Sequence, residues 1–296
     1  MQTNRANPRL SLKNLLLTTD FSAASENAFS YALAFARWYD SKLFVAHVVR
    51  PEPSLGIPLE AVPAELDRDW QDARQRMDNF TRNHAAKECC LESVLERGEL
   101  QDVISAIILQ HGIDLLVLGT HGRQGIKKLV LGSVAEQIFR LATCPVLTVG
   151  PKVARQPAQF ENLNRILFAT DFSSGSLHAL RYALSLAEEN EASVVFLHLI
   201  ELFPLDQNPR KVEANTKARL RALVPYEADL WCKPEFVVGH ELPPEGILQV
   251  AEEREVDLIV MGVHRASSSK APPHSPWAIA YEVVCNAHCP VLTVRA

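Results

Sequence analysis

The chain has 296 residues, 47% hydrophobic and 22% charged, which is ordinary for a folded globular protein and excludes a disordered or fibrous one. Its net charge of −5 argues against a protein devoted to nucleic acid or anionic lipid. No apolar run reaches the ~20 residues of a membrane-spanning helix, and the first ten residues lack the apolar core of a signal peptide. Six cysteines are too sparse for a disulfide framework, so the expected setting is a reducing cytoplasm, with neither membrane nor nucleic acid as partner.

In chain order, Leu15–Thr18 is an apolar strand that ends at Thr19-Asp20. Ser22 reads as the N-cap of a helix in which Ala24, Ala28, Ala32, Phe35 and Tyr39 recur every three or four residues. Leu43–Val49 is a second buried strand. After a Pro-punctuated loop, Leu66, Trp70, Ala73, Met77 and Phe80 mark one face of a second helix. Strand 91–95, helix 100–109, strand 115–118, helix 134–141 and strand 146–149 complete the series.

The series then repeats. Thr19-Asp20-Phe21-Ser22 returns as Thr170-Asp171-Phe172-Ser173, and Cys144-Pro145-Val146-Leu147-Thr148-Val149 as Cys289-Pro290-Val291-Leu292-Thr293-Val294. His47 corresponds to His198, and Asp114…Gly119 to Asp257…Gly262. Four matches in one order make a tandem duplication: a first domain at 1–150, a linker at 151–162 and a second domain at 163–296. Strands alternating with helices predict, in each, a parallel α/β sheet covered on both faces.

Ligands of open α/β sheets bind at the carboxyl ends of the strands. There the first domain carries Gly119-Thr120-His121-Gly122 and, nine residues on, Gly132-Ser133, a G-x2-G-x9-G-S pattern. Glycines admit close backbone approach, and a serine at a helix start sits beside unpaired N–H groups, so the pair suits a polyphosphate. Neither a P-loop nor a G-x-G-x-x-G follows the first strand. The histidines at 47 and 198 read as sheet-bound side chains, and Cys285-Asn-Ala-His288-Cys289 as structural cysteines rather than half a zinc site.

Together these motifs resemble the universal stress protein family over nearly the whole chain, as two tandem domains. The resemblance implies a Rossmann-like, adenine nucleotide alpha hydrolase-like fold of five parallel strands ordered 3-2-1-4-5. It also implies an ATP site in the first domain, with Mg2+. Thr19 and Asp20 would lie at the adenosine end, and Val48 would meet adenine through its backbone. Leu118 and Gly119 would lie near the ribose, with His121 beside the ligand. Gly122, Gly132, Ser133 and Val134 would hold the phosphates. The family's habit of dimerising through last strands implies pairing of 146–149 with 291–294 in a pseudo-dimer within the chain, or a homodimer, and an unidentified protein partner.

In the second domain Arg265 replaces the second glycine and Trp277-Ala278 replaces Gly132-Ser133, so its phosphate half is expected to be lost. The reading is a nucleotide-dependent stress or signalling module, not an enzyme; a slow ATPase or phosphotransferase using the same site, or a ligand-free interaction or chaperone-like protein, are the alternatives. No water-activating base stands out.

Overall fold

The structure is a computed structural model, described here for residues 10–50, 62–84, 90–120, 136–138, 142–154, 162–200, 208–226, 228, 232–263 and 276–295. Two compact units emerge, one holding the first four strands and one holding the last five together with residues 147–149 of the strand before them.

The first unit runs β1 (Asn14–Thr18), α1 (Ala23–Tyr39), β2 (Lys42–Val49), α2 (Val62–His84), β3 (Leu91–Arg97), α3 (Leu100–His111) and β4 (Leu115–Gly119). All pairings are parallel, with β1 between β2 and β4 and β3 outside β2. Leu116 N–H donates to the carbonyl of Pro145 (3.0 Å), which sets β5 (Val146–Val149) beside β4 and completes the order 3-2-1-4-5. Leu15, Leu16 and Leu17 are fully buried, as expected of a central strand covered on both faces.

Helix α1 starts where Ser22 caps it, its hydroxyl accepting from Ser25 N–H at 3.3 Å. It ends at Asp40 in the left-handed conformation (φ 49°). Helix α2 buries Ala73, Met77 and Phe80, the expected face, while Leu66 and Trp70 stay half-exposed. Strand β3 continues two residues past the expected Leu95, because its ladder with β2 extends to Arg97 opposite Val49. Of the helix expected at 134–141, residues 136–138 are described and helical.

The second unit repeats the plan with β6 (Arg165–Ala169), α4 (Ser174–Asn190), β7 (Ser193–Leu199), α5 (Pro209–Ala222), β8 (Pro234–Gly239), α6 (Pro243–Glu253), β9 (Leu258–Val263), α7 (Pro276–Asn286) and β10 (Val291–Arg295). Its parallel order β8-β7-β6-β9-β10 is again 3-2-1-4-5. The α/β class and the tandem architecture are therefore as the sequence implies.

A pair of aspartates fixes the central strands. Asp114 Oδ2, just ahead of β4, accepts from Lys13 N–H (2.7 Å) and Asn14 N–H (3.0 Å) at the start of β1. Asp257 Oδ2 does the same for Asn164 (2.8 Å) and Arg165 (2.9 Å) ahead of β6. The recurring aspartate thus satisfies the two backbone donors that open the middle strand of each sheet.

Candidate functional site

With β1 flanked by β2 and β4, strand order reverses at the carboxyl end of β1, the switch point at which such sheets bind ligands. Four residues meet there in a tight turn. Thr19 Oγ1 accepts from Phe21 N–H (2.9 Å), and Asp20 Oδ1 accepts from Ser22 N–H (3.0 Å) and from Ser25 Oγ (2.6 Å). Ser22 then caps α1. The second unit repeats it: Thr170 Oγ1 accepts from Phe172 N–H (2.9 Å), Asp171 Oδ1 from Ser173 N–H (2.9 Å), and Ser173 caps α4. Every member of the Thr-Asp-Phe-Ser motif therefore has a local folding role, which explains its survival in both halves.

The phenylalanines occupy left-handed backbone, φ 62° at Phe21 and 60° at Phe172, which costs about 1–2 kcal/mol for a residue with a β-carbon. Ring contacts offset this. Phe21 lies 4.4 Å from the His47 ring, and the Arg76 guanidinium sits 4.7 Å above it. Phe172 lies 4.6 Å from His198, with Arg219 at 3.9 Å. Each unit thus stacks histidine, phenylalanine and arginine over the end of its first strand. Sequence reasoning missed both arginines. Their equivalence shows only once the second helix of each unit is in place, since nothing in the local sequence joins Arg76 to Phe21.

His47 and His198 are sheet-bound as expected. Their Nδ1 atoms approach the carbonyl oxygens of Thr19 (2.7 Å) and Thr170 (2.8 Å). A carbonyl only accepts, so Nδ1 carries the hydrogen and donates in both rings. Burial holds the His47 imidazole below its ordinary value, the bond to Thr19 opposing this and the charge of Arg76 adding to it.

Of the residues expected at the nucleotide, Thr19, Asp20, Val48, Leu118 and Gly119 converge on this strand end. Asp20 is exposed, Val48 half-buried, and Thr19 and Leu118 buried. The Leu118 side chain belongs to the core at 1% exposure, so any contact it makes is through its backbone. A β-carbon at position 119 would lie 2.3 Å from the Ala24 carbonyl oxygen, and one at 262 would lie 2.4 Å from the Gly175 backbone. Glycine at both places lets the start of a helix press against the fourth strand, whatever the site binds. His121, Gly122, Gly132, Ser133 and Val134 lie outside the described residues, as do Arg265 and the Trp277 side chain.

Cys144, Cys232, Cys285 and Cys289 are buried and pack in the interior, Cys90 is exposed, and burial pushes the Cys289 thiol up to about 12. No group of three metal-binding side chains occurs among the described residues.

A model of the Universal stress protein family matches residues 11–150 and again residues 162–295. The chain belongs to that family. Universal stress protein Slr1230 of Synechocystis is 25% identical over 275 residues, spanning 86% of this chain and 90% of that one. Universal stress protein MJ0531 of Methanocaldococcus jannaschii is 28% identical over 141 residues, covering 46% of this chain and 81% of its own. Among solved structures, a universal stress protein from Archaeoglobus fulgidus superposes with a TM-score of 0.71 at 17% identity, covering 97% of this chain and 99% of the other; at that identity the likeness is one of fold. Among the described residues, no helix is long and apolar enough to cross a membrane.

Proposed function

We propose that the first unit binds ATP, with Mg2+, as a nucleotide-responsive stress or signalling module of the cytoplasm, and that the second unit does not bind ATP. One observation carries the reading. The strand order puts the ends of β1 and β4 side by side, so that Asp20 and the start of the G-x2-G-x9-G-S sequence border one switch point. The described residues fit the adenosine end. Asp20 offers an exposed carboxylate to ribose hydroxyls or an adenine amine, and Val48 offers backbone at the end of the neighbouring strand. Gly122, Gly132, Ser133 and Val134 would hold the phosphates. The bound nucleotide would supply charge and bulk that change what the unit presents to a protein partner.

Binding without turnover is the expected mode, since Asp20 would lie at the adenosine end and away from the terminal phosphate. Asp20 Oδ1 already accepts from Ser22 and Ser25, which suits a fixed acceptor better than a base that must collect a proton. In the second sequence copy the glycine signature is broken at Arg265 and Trp277-Ala278.

Freshly purified chain is denatured and the released nucleotide identified by mass spectrometry, beside a turnover assay. ATP near one per chain with negligible turnover is expected. Repeated turnover would make it an ATPase, and absence of nucleotide at any added concentration would remove the reading.

A further inference from the structure

One cation at the switch point of the first unit, Arg76, is left without a role by the ATP reading. It stands exposed on α2, between the buried Ala73 and Met77. Its guanidinium lies 4.7 Å from the centre of the Phe21 ring, and its Nη2 donates to the Asp20 carbonyl at 3.4 Å. One turn further along α2, Phe80 meets the same ring edge-on at 5.9 Å. Residues four apart share a helix face, so α2 holds Phe21 with an arginine and a phenylalanine at once. His47 completes the setting at 4.4 Å.

The turn needs such support at one peptide. Phe21 is in left-handed backbone (φ 62°), which favours relaxation by roughly 1–2 kcal/mol. Relaxation of the peptide that joins Asp20 to Phe21 would carry the Asp20 carboxylate away from the strand end. Arg76 touches both sides of that peptide, the Asp20 carbonyl through a hydrogen bond and the Phe21 ring through a cation–π contact.

Arg76 does this from the side away from the glycine sequence. Helix α2 packs on β2 and β3, whereas the glycine sequence starts after β4, and β1 stands between the two. An arginine placed there serves the nucleoside end of the site.

We propose, on the ATP reading of the first unit, that Arg76 is a positioning residue of the nucleotide site. It fixes the turn so that the Asp20 carboxylate meets the nucleoside, and it does not bind phosphate. An arginine that bound phosphate would lose more affinity with each phosphate added to the ligand. A residue that acts through Asp20 costs the same factor whatever the number of phosphates.

Calorimetry on the full chain compares AMP, ADP and ATP, each with Mg2+, in the parent, Arg76→Met and Arg76→Lys. Arg76→Met is expected to weaken all three by a common factor of about five to ten. Lysine keeps a cation over the ring but not the planar fork, so Arg76→Lys should return to within about threefold of the parent. Arg219→Met, the corresponding change over Phe172, should leave all three affinities unchanged. In the unliganded chain, hydrogen exchange at the Ser22 amide, which donates to Asp20 Oδ1, should quicken by about tenfold in Arg76→Met, while Ser173 keeps its rate. Parent-like binding by Arg76→Met, a loss that grows from AMP to ATP, no recovery in Arg76→Lys, or unchanged Ser22 exchange would overturn the proposal. A parent that takes up none of the three nucleotides would remove the ATP reading and this proposal together, so the parent alone tells the two failures apart.

Discussion

The His47 ring donates from Nδ1 to the Thr19 carbonyl at 2.7 Å, tying the end of β2 to the residue that follows β1. The second unit repeats the bond at 2.8 Å between His198 and Thr170. A histidine at this place therefore joins two strands at the mouth of the site.

Burial of the His47 ring has a pH signature, which the bond to Thr19 opposes. With the His47 value lowered in the folded chain, the unfolded chain binds the proton first as pH falls below the ordinary 6.5. The contribution is complete above 6.5 and is lost as pH falls through the lowered native value. His47→Gln should lose about 1 kcal/mol at pH 7.5 and show a shallower decline of stability than the parent as pH falls below 6.5. Urea unfolding at a series of pH values checks this; parallel profiles would show that His47 stays unperturbed.

Gly119 and Gly262 face backbone, which cannot swing aside. Gly119→Ala would bring its β-carbon to 2.3 Å from Ala24 O, so a loss of about 2–3 kcal/mol is expected. Gly262→Ala should cost a similar amount through the Gly175 backbone. Denaturant midpoints of the two variants measure it, and a loss below about 0.5 kcal/mol at both would mean that the helix starts are not so closely seated.

Opposite signs are expected at two helix ends. Asp40 (φ 49°) and Glu191 (φ 53°) cap α1 and α4 in left-handed conformation. Asp40→Gly and Glu191→Gly should each stabilise, by about 0.5–1 kcal/mol. Glu191 should gain more, because aspartate tolerates this region better than glutamate. Thermal melts of the single variants decide it; a fall in Tm at both positions would contradict the assignment.

Removing Asp114 or Asp257 would leave two strand-opening N–H groups without their acceptor. Alanine at either should cost about 1–2 kcal/mol, and asparagine less, since it keeps one acceptor oxygen. Hydrogen exchange at Asn14 and Arg165 reports the change directly, and unaltered protection would refute it.

Most of the scaffold was legible because the signals are local and doubled. Strands such as Leu43–Val49 are continuous apolar runs, the serine caps stand where helices begin, and each element has a second copy to confirm it. The strand order was a different matter. Alternation of strands and helices does not say that β1 lies between β2 and β4; the family resemblance supplied it, and the pairings show it. The site was legible by type of residue more than by role. Asp20 and Gly119 do stand at the switch point, but the turn's own bonds and the seat of α1 already account for their presence. Arg76 and Arg219 escaped notice because a charged residue on an exposed helix face looks the same whether it covers a ring or not. The cavity of the second unit, at the carboxyl ends of β6, β7 and β9, escaped for a related reason: its walls come from six separate elements, and attention to the broken glycine signature pointed away from the apolar space beside it.

Calorimetric titration of the full chain with ATP and Mg2+ tests the central claim most directly. The account predicts one site per chain, lost in Gly132→Val and unchanged in Arg219→Met. Two sites per chain, or a site that survives Gly132→Val in a folded protein, would contradict it.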